Sequence, residues 1–268
     1  MKLLRRVALV LLALVALAAL SAEWVAPARY DQQFRETIDA RPSRQHPLGT
    51  DALGRDRLSR LIYGTRVSLL LAPAAALLSS LISCAAGIFA AWNGKRWERG
   101  LEISSDLFMA LPWMLLLLTV RAALPLSISP WSSVTITFAL LGVLGWAAPS
   151  RVALSGARAL RDSDFMLLAR SQGRRGFTLL FVDLLPNLRP VFLAQFWTSI
   201  PIFILTEANL SLLGLGVMEP LPSWGVLLKE LENVSAISGH PWILAPAALL
   251  LAVVSSLHLV LARKEGAA

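Results

Sequence analysis

An all-α membrane protein with six transmembrane helices is the fold class that this sequence predicts, and three observations predict it. Of its 268 residues, 56% are hydrophobic and 16% charged, whereas a soluble domain is roughly half apolar and about a quarter charged. Six apolar stretches, 7–26, 67–92, 107–124, 132–149, 189–213 and 241–262, approach the roughly 20 residues that a helix needs to cross a bilayer core. The basic residues also fall unevenly. With both termini placed in the cytoplasm, 15 of the 25 Lys and Arg residues lie inside and 10 outside, eight of those in the long segment 27–66. Basic loops are retained on the cytoplasmic side, whereas long translocated loops tolerate charge.

The net charge of +8 is accordingly read as basic loops rather than as a nucleic-acid surface. Cys84 is the single cysteine, so no disulfide within the chain and no cysteine metal site can form. His46, His240 and His258 lack ligand spacing, and neither a metal site nor a cofactor is expected.

The first span follows Lys2, Arg5 and Arg6 and runs on through Trp24 and Val25, which favours an uncleaved anchor over residues 1–26. The Ala19-Leu20-Ser21 run leaves a secretory signal as the alternative. Segment 27–66 is rich in turn formers. From Asp51 it becomes amphipathic, with Leu53, Leu58, Leu61 and Ile62 opposite Arg55, Asp56, Arg57 and Arg60, predicting a helix on the outer surface ahead of the second span. Pro125 and Pro130 mark the turn between the third and fourth spans. Arg121, ending the third, is expected to snorkel to the outer interface.

The polar stretch from Arg161 to Asn187 predicts a cytoplasmic helix. Asp162 or Ser163 caps it and Asp164 complements its dipole. Phe165, Leu168, Ala169 and Gln172 share one face, and Arg170 and Arg174 lie four apart on another. Like charges at that spacing repel, which suits an external partner better than helix stability. Gly173 ends the helix and permits close backbone approach. Pro186 is expected to stop the next apolar run before the fifth span. Glu207, ionisable and near the end of that span, is expected to hydrogen-bond the following loop, substrate contact being the alternative. In that loop Gly214, Gly216, Pro220, Pro222 and Trp224 predict a constrained, non-helical segment with its indole at the interface. An intramembrane protease is disfavoured. Ser155 and Ser211 sit in small-residue contexts, but His258 is the sole histidine well inside a span, and no Walker loop occurs.

Four stretches together resemble the permease subunits of ABC importers, most closely the second permease of the dipeptide, oligopeptide and nickel branch. They are His46-Pro47-Leu48-Gly49-Thr50-Asp51 with the run from Gly54 to Gly64, and Asp106 with Pro112. The third is Phe165 to Gly173 with Pro186-Asn187, and the fourth is Glu207 to Gly216 with Pro220, Pro222, Ser223, Trp224 and Gly225. The resemblance covers residues 46 to about 260. It implies the type I ABC importer permease fold in the bacterial cytoplasmic (inner) membrane, with a periplasmic segment 27–66 and a five-helix core 67–262. It further implies a cytoplasmic coupling loop 150–187, a periplasmic loop 214–240 and a cytoplasmic tail 263–268.

Asp164, Phe165, Leu167, Leu168, Ala169, Arg170, Gly173, Pro186 and Asn187 would couple to the ATPase. Glu207, Ser211, Gly214, Gly216, Pro222, Ser223, Trp224 and Gly225 would form the periplasmic loop or gate. The implied partners are a paralogous permease, two ABC ATPase subunits, a periplasmic or lipid-anchored solute-binding protein and membrane lipid. The chain itself would carry out no catalysis. Peptides are the first expectation for the substrate, nickel or a metal–metallophore complex the alternative, and a non-transporting scaffold the second alternative. Two departures stand out: Leu167, Leu168 and Ala169 replace the family's glutamate and two alanines, and Ile103 stands where arginine is frequent.

Overall fold

The computed structural model describes residues 2–123, 129–232, 237 and 239–261. Among these every regular element is helical, apart from two isolated antiparallel bridges, Gln33 with Arg55 and Thr50 with Asp56. Helix α1 (Lys2–Leu20) and the single turn α2 (Ala22–Val25) precede an irregular segment. Next come α3 (Arg57–Asn93), α4 (Lys95–Ala110), α5 (Trp113–Ala122), α6 (Pro130–Leu144), α7 (Ala147–Arg161) and α8 (Asp164–Ser171). A continuous helical stretch then runs through α9 (Gly176–Thr178), a π-helical segment (Leu179–Leu184) and α10 (Leu185–Asn187). Helix α11 (Arg189–Leu212), α12 (Trp224–Leu228), two 3-10 turns (Lys229–Glu232 and Pro241–Leu244) and α13 (Ala245–Leu261) complete the chain.

Among the described residues four helical segments are long and apolar enough to cross a membrane: α1, α3, α11 and 241–261. Two bent pairs raise the number to as many as six. Helices α4 and α5 meet at 78°, and α6 and α7 at 41°. Pro112 forms the first bend, standing in extended backbone at φ −60°, ψ 109°, because it can donate no helical hydrogen bond. Pro125 and the tail 263–268 lie outside the described residues.

The chain divides into two compact units and passes between them four times; the first and last passages fall at the prolines inside long helices, Pro73 of α3 and Pro201 of α11. The first unit contains 1–72, 124–138 and 201–268. In it α1 packs along α13, with Ala8, Ala19, Ala22, Val253 and Leu257 buried. Small side chains let helices approach closely where lipid offers no hydrophobic drive for association. The second unit contains 73–123 and 139–200. There α4 packs on α7, and Ala90, Ala91, Leu154, Ala157, Met166, Ala169, Leu179, Leu184 and Leu188 form one core.

Three expectations are corrected. No separate surface helix precedes the second span: the helix starts at Arg57 and is the beginning of α3 itself. Its charged side does not face solvent either: Arg55, Asp56 and Arg60 are 7%, 0% and 1% exposed, as buried as Leu61 at 8%, while Leu53 is 52% exposed. The charges turn inward because carboxylates from distant sequence meet them. Arg121, expected at the interface, is buried.

Candidate functional site

In the first unit, the end of α11 and the loop after it close around one carboxyl group. Glu207 is fully buried, and its Oε1 accepts hydrogen bonds from Ser211 Oγ and Ser223 Oγ, both at 2.7 Å. Ser211 is one helical turn after Glu207, so its hydroxyl reaches the carboxyl along the helix face. Ser223 arrives from beyond the loop and also caps α12, its Oγ accepting from the Val226 amide at 3.2 Å.

The neighbouring glycines are required by this closure. A Cβ on Gly216 would lie 1.9 Å from Ser211 Oγ, and one on Gly225 would lie 2.6 Å from Ser211 Cβ and 2.7 Å from Ala208 Cα. Gly214 opens the loop with φ +77°, and Pro222 is buried, its Cβ 3.5 Å from where a Cβ on Gly64 of α3 would stand. Trp224 is fully buried. Its amide donates to Ser68 Oγ at 3.2 Å and its indole to Thr65 Oγ1 at 2.9 Å, which ties the loop to α3. Two expectations are thereby revised. The indole is a core group rather than an interfacial one, and helix resumes at Trp224 because Ser223 caps it. The hydrogen bond expected from Glu207 to the following loop is present.

A network of buried charge adjoins this loop. Arg55 donates to Asp51 at 2.7 Å and to Glu219 at 2.7 Å, and Arg60 reaches Glu219 at 2.9 Å. Burial opposes the Arg55 charge, but the carboxylates of Asp51 and Glu219 outweigh it and hold its pKa above the ordinary value. His46 Nδ1 lies 2.8 Å from Asp56, whose other oxygen accepts from the amide and hydroxyl of Ser59. Arg57 pairs with Glu230. Arg55 and Glu219 face a cavity of about 980 Å³, also lined by Met218, Lys229, Glu232 and His240. Sequence reasoning missed Glu219: its partners are about 160 residues away, and no local periodicity reports such a pairing.

In the second unit, α8 is a two-turn helix capped by Ser163, which accepts from the Met166 amide. Asp164 occupies its first turn. Its buried residues are Met166 and Ala169, whereas Phe165, Leu167 and Leu168 are 48%, 54% and 59% exposed. The face expected from Phe165, Leu168, Ala169 and Gln172 therefore does not form as one surface. Ala169 faces the core, and the larger apolar side chains face away from it.

The helix ends in a Schellman arrangement, with Gly173 N–H bonded to the Arg170 carbonyl and Arg174 N–H to the Ala169 carbonyl. Gly173 has φ +85° and no atom within 4 Å of where a Cβ would stand, so its backbone conformation alone asks for glycine. Arg174 lies beyond the helix and pairs with buried Asp183, so it forms no helical pair with Arg170. Arg170 instead donates to the Arg161 carbonyl at 3.3 Å. Arg161 also binds Glu98 and the Ala91 carbonyl. Its hydrogen bond to Asp162, aided by the charges of Arg170 and Arg158, holds that carboxyl below the usual carboxylate range.

The helical run ends as expected before the fifth span, at Asn187, one residue after Pro186 and with Leu188 in a turn ahead of α11. Pro186 sits inside α10, just after a π-helical segment in which the Leu185 amide bonds back to the Leu180 carbonyl. Asn187 Nδ2 donates to the Asp183 carbonyl at 2.6 Å. The expected coupling residues thus lie together in the second unit and the expected loop residues in the first.

Residues 83–263 match the family described as the inner membrane component of binding-protein-dependent transport systems. The chain belongs to that family. It is therefore a multi-pass inner-membrane transport component of the permease type. It is 31% identical over 238 residues to the oligopeptide transport system permease protein OppC of Bacillus subtilis (strain 168), covering 88% of this chain and 75% of that protein. A putative peptide permease of Brucella suis is 34% identical over 221 residues, covering 81% and 71%. A di/tripeptide transport system permease protein of Pseudomonas aeruginosa is 32% identical over 233 residues, covering 84% and 74%.

Proposed function

We infer that this chain forms one half of the transmembrane pathway of an ATP-driven peptide importer. The observation that carries the reading is its similarity, over most of its length, to permeases named for oligopeptide and di/tripeptide transport. A paralogous permease completes the pathway, two ATPase subunits drive it from the cytoplasm and a solute-binding protein delivers peptide from the other side. The chain crosses the membrane six times with both termini inside, counting each bent pair as one span. The division of basic residues supports that orientation.

Helix α8 presents Phe165, Leu167 and Leu168 to the ATPase. Their exposure in a short capped helix supports this role, and apolar packing replaces the glutamate that related permeases carry. The loop fastened by Glu207, Ser223 and Trp224 is a rigid lid or docking surface at the opposite membrane face. Deleting the chain is expected to abolish both uptake of a labelled peptide and peptide-stimulated ATP hydrolysis. Mass spectrometry and metal analysis of what the cognate binding protein carries test the substrate. A bound metal chelate in place of peptide overturns that assignment, and normal uptake without the chain overturns the permease role.

A further inference from the structure

The second unit contains a cavity of about 400 Å³ whose walls include Trp92, Arg161, Arg170, Arg174, Arg175 and Leu179. Two of these guanidinium groups are anchored by carboxylates, Arg161 by Glu98 and Asp162, and Arg174 by Asp183. Arg170 donates to a backbone carbonyl, and neither Arg170 nor Arg175 forms an ion pair among the described residues. The pocket therefore holds fixed cations on its walls and two further guanidinium groups available to an anion. Guanidinium forks match phosphate oxygens bidentately.

Beside the cavity the helical stretch 176–187 has two unlike faces. Leu179 and Leu184 are buried in the core, whereas Phe177, Phe181 and Val182 are 79%, 56% and 56% exposed, and the two phenyl rings stack at 6.1 Å. Exposed aromatic rings adjoining arginines are the composition of a helix that lies in a membrane interface. The position along the chain agrees. Trp92 is the penultimate residue of α3, and the stretch ends two residues before α11 begins. Both α3 and α11 are apolar enough to span, so the pocket stands beside the end of one such helix and close before the start of the other.

We propose that this pocket binds the phosphodiester headgroup of an anionic phospholipid, with Arg170 and Arg175 on the phosphate and the acyl chains along Phe177 and Phe181. Basic pockets between the cytoplasmic ends of spanning helices recognise anionic headgroups in this way. The site requires only that α3 and α11 cross the membrane, and it stands whichever solute the importer carries.

The test uses the complete transporter containing this chain, delipidated in detergent and titrated with dioleoylphosphatidylglycerol or dioleoylphosphatidylcholine under native mass spectrometry. Phosphatidylglycerol is expected to be retained more tightly than phosphatidylcholine. Arg175→Glu removes a cation and adds an anion, and at about fivefold for each unit of interfacial charge it is expected to weaken that retention about thirtyfold, with the ATPase subunits still bound. Arg175→Gln gives a smaller loss in the same direction and guards against misfolding, which the thermal unfolding midpoint reports. Equal retention of the two lipids, or unchanged retention by both variants, overturns the proposal. Displacement of the lipid by inorganic phosphate reassigns the pocket to a free anion. Release of the ATPase with lipid retention intact reassigns it to a protein partner.

Discussion

Ser223 Oγ lies 2.7 Å from Glu207 Oε1, sixteen residues away across a loop that contains two glycines and two prolines. One hydroxyl thereby closes the loop on α11 and starts α12. Ser223→Ala removes both the donor to a buried carboxyl and the helix cap. The expected cost is about 1–3 kcal/mol for the hydrogen bond and about 1 kcal/mol for the cap. The thermal unfolding midpoint of the purified protein is expected to fall, and Ser223→Thr is expected to restore most of it. An unchanged midpoint in Ser223→Ala shows that the loop is held elsewhere.

Gly216→Ala tests the packing on the same turn. Its methyl group would stand 1.9 Å from Ser211 Oγ and 2.6 Å from Ser211 Cα. A rotamer change can move the hydroxyl but not the Cα, so the loop backbone must shift. Overpacking of this kind costs about 1–3 kcal/mol. Limited proteolysis of the folded protein is expected to cut the segment after Leu213 faster in Gly216→Ala than in wild type. Equal cutting rates mean that the loop yields without strain.

Orientation is open to direct labelling. Ser43 and Ser171 are both exposed and belong to segments assigned to opposite sides of the membrane. In a Cys84→Ser background, cysteine at position 43 is expected to react with an impermeant thiol reagent in cells whose outer membrane has been permeabilised. Cysteine at position 171 is expected to react only after the inner membrane is opened. Labelling of position 171 in intact spheroplasts inverts the topology.

Gly173 separates backbone strain from docking. Asn tolerates φ > 0 better than other side chains, so Gly173→Asn is expected to keep α8 folded, and Gly173→Ala to loosen its last turn. Gly173→Trp adds bulk where this chain itself leaves open space. A contact with the ATPase there predicts a permease that inserts normally but loses its ATPase on purification. Full ATPase retention and uptake in Gly173→Trp would remove Gly173 from that contact. Leu167, 54% exposed, accepts a charge without burying it, so Leu167→Glu is expected to leave membrane insertion and folding unchanged.

The class of this protein was legible in its sequence because span length and basic-residue bias are one-dimensional properties. A helix that crosses lipid must satisfy its own backbone, so runs of apolar residues report it without knowledge of neighbours. The local chemistry of α8 was legible for the same reason: its cap and its stop lie within about ten residues of each other. The loop motif from Glu207 to Gly225 could be located, but not interpreted. Its spacing marked Gly216 and Trp224 without revealing that one makes room for Ser211 and that the other is buried against Thr65 and Ser68.

What tertiary structure alone decided was which way the polar groups face. Helical periodicity around Arg55, Asp56 and Arg60 pointed them to solvent, yet they are buried, because Asp51 and Glu219 meet the arginines and His46 and Ser59 meet Asp56. Burying a charge is costly unless a partner is supplied, and the partner Glu219 comes from the other end of the chain. Periodicity likewise put Phe165, Leu168 and Ala169 on one face, while the core took Ala169 together with Met166 and left Phe165 and Leu168 exposed. An amphipathic pattern says that a helix has two faces. Only the elements packed around it determine which of them is covered.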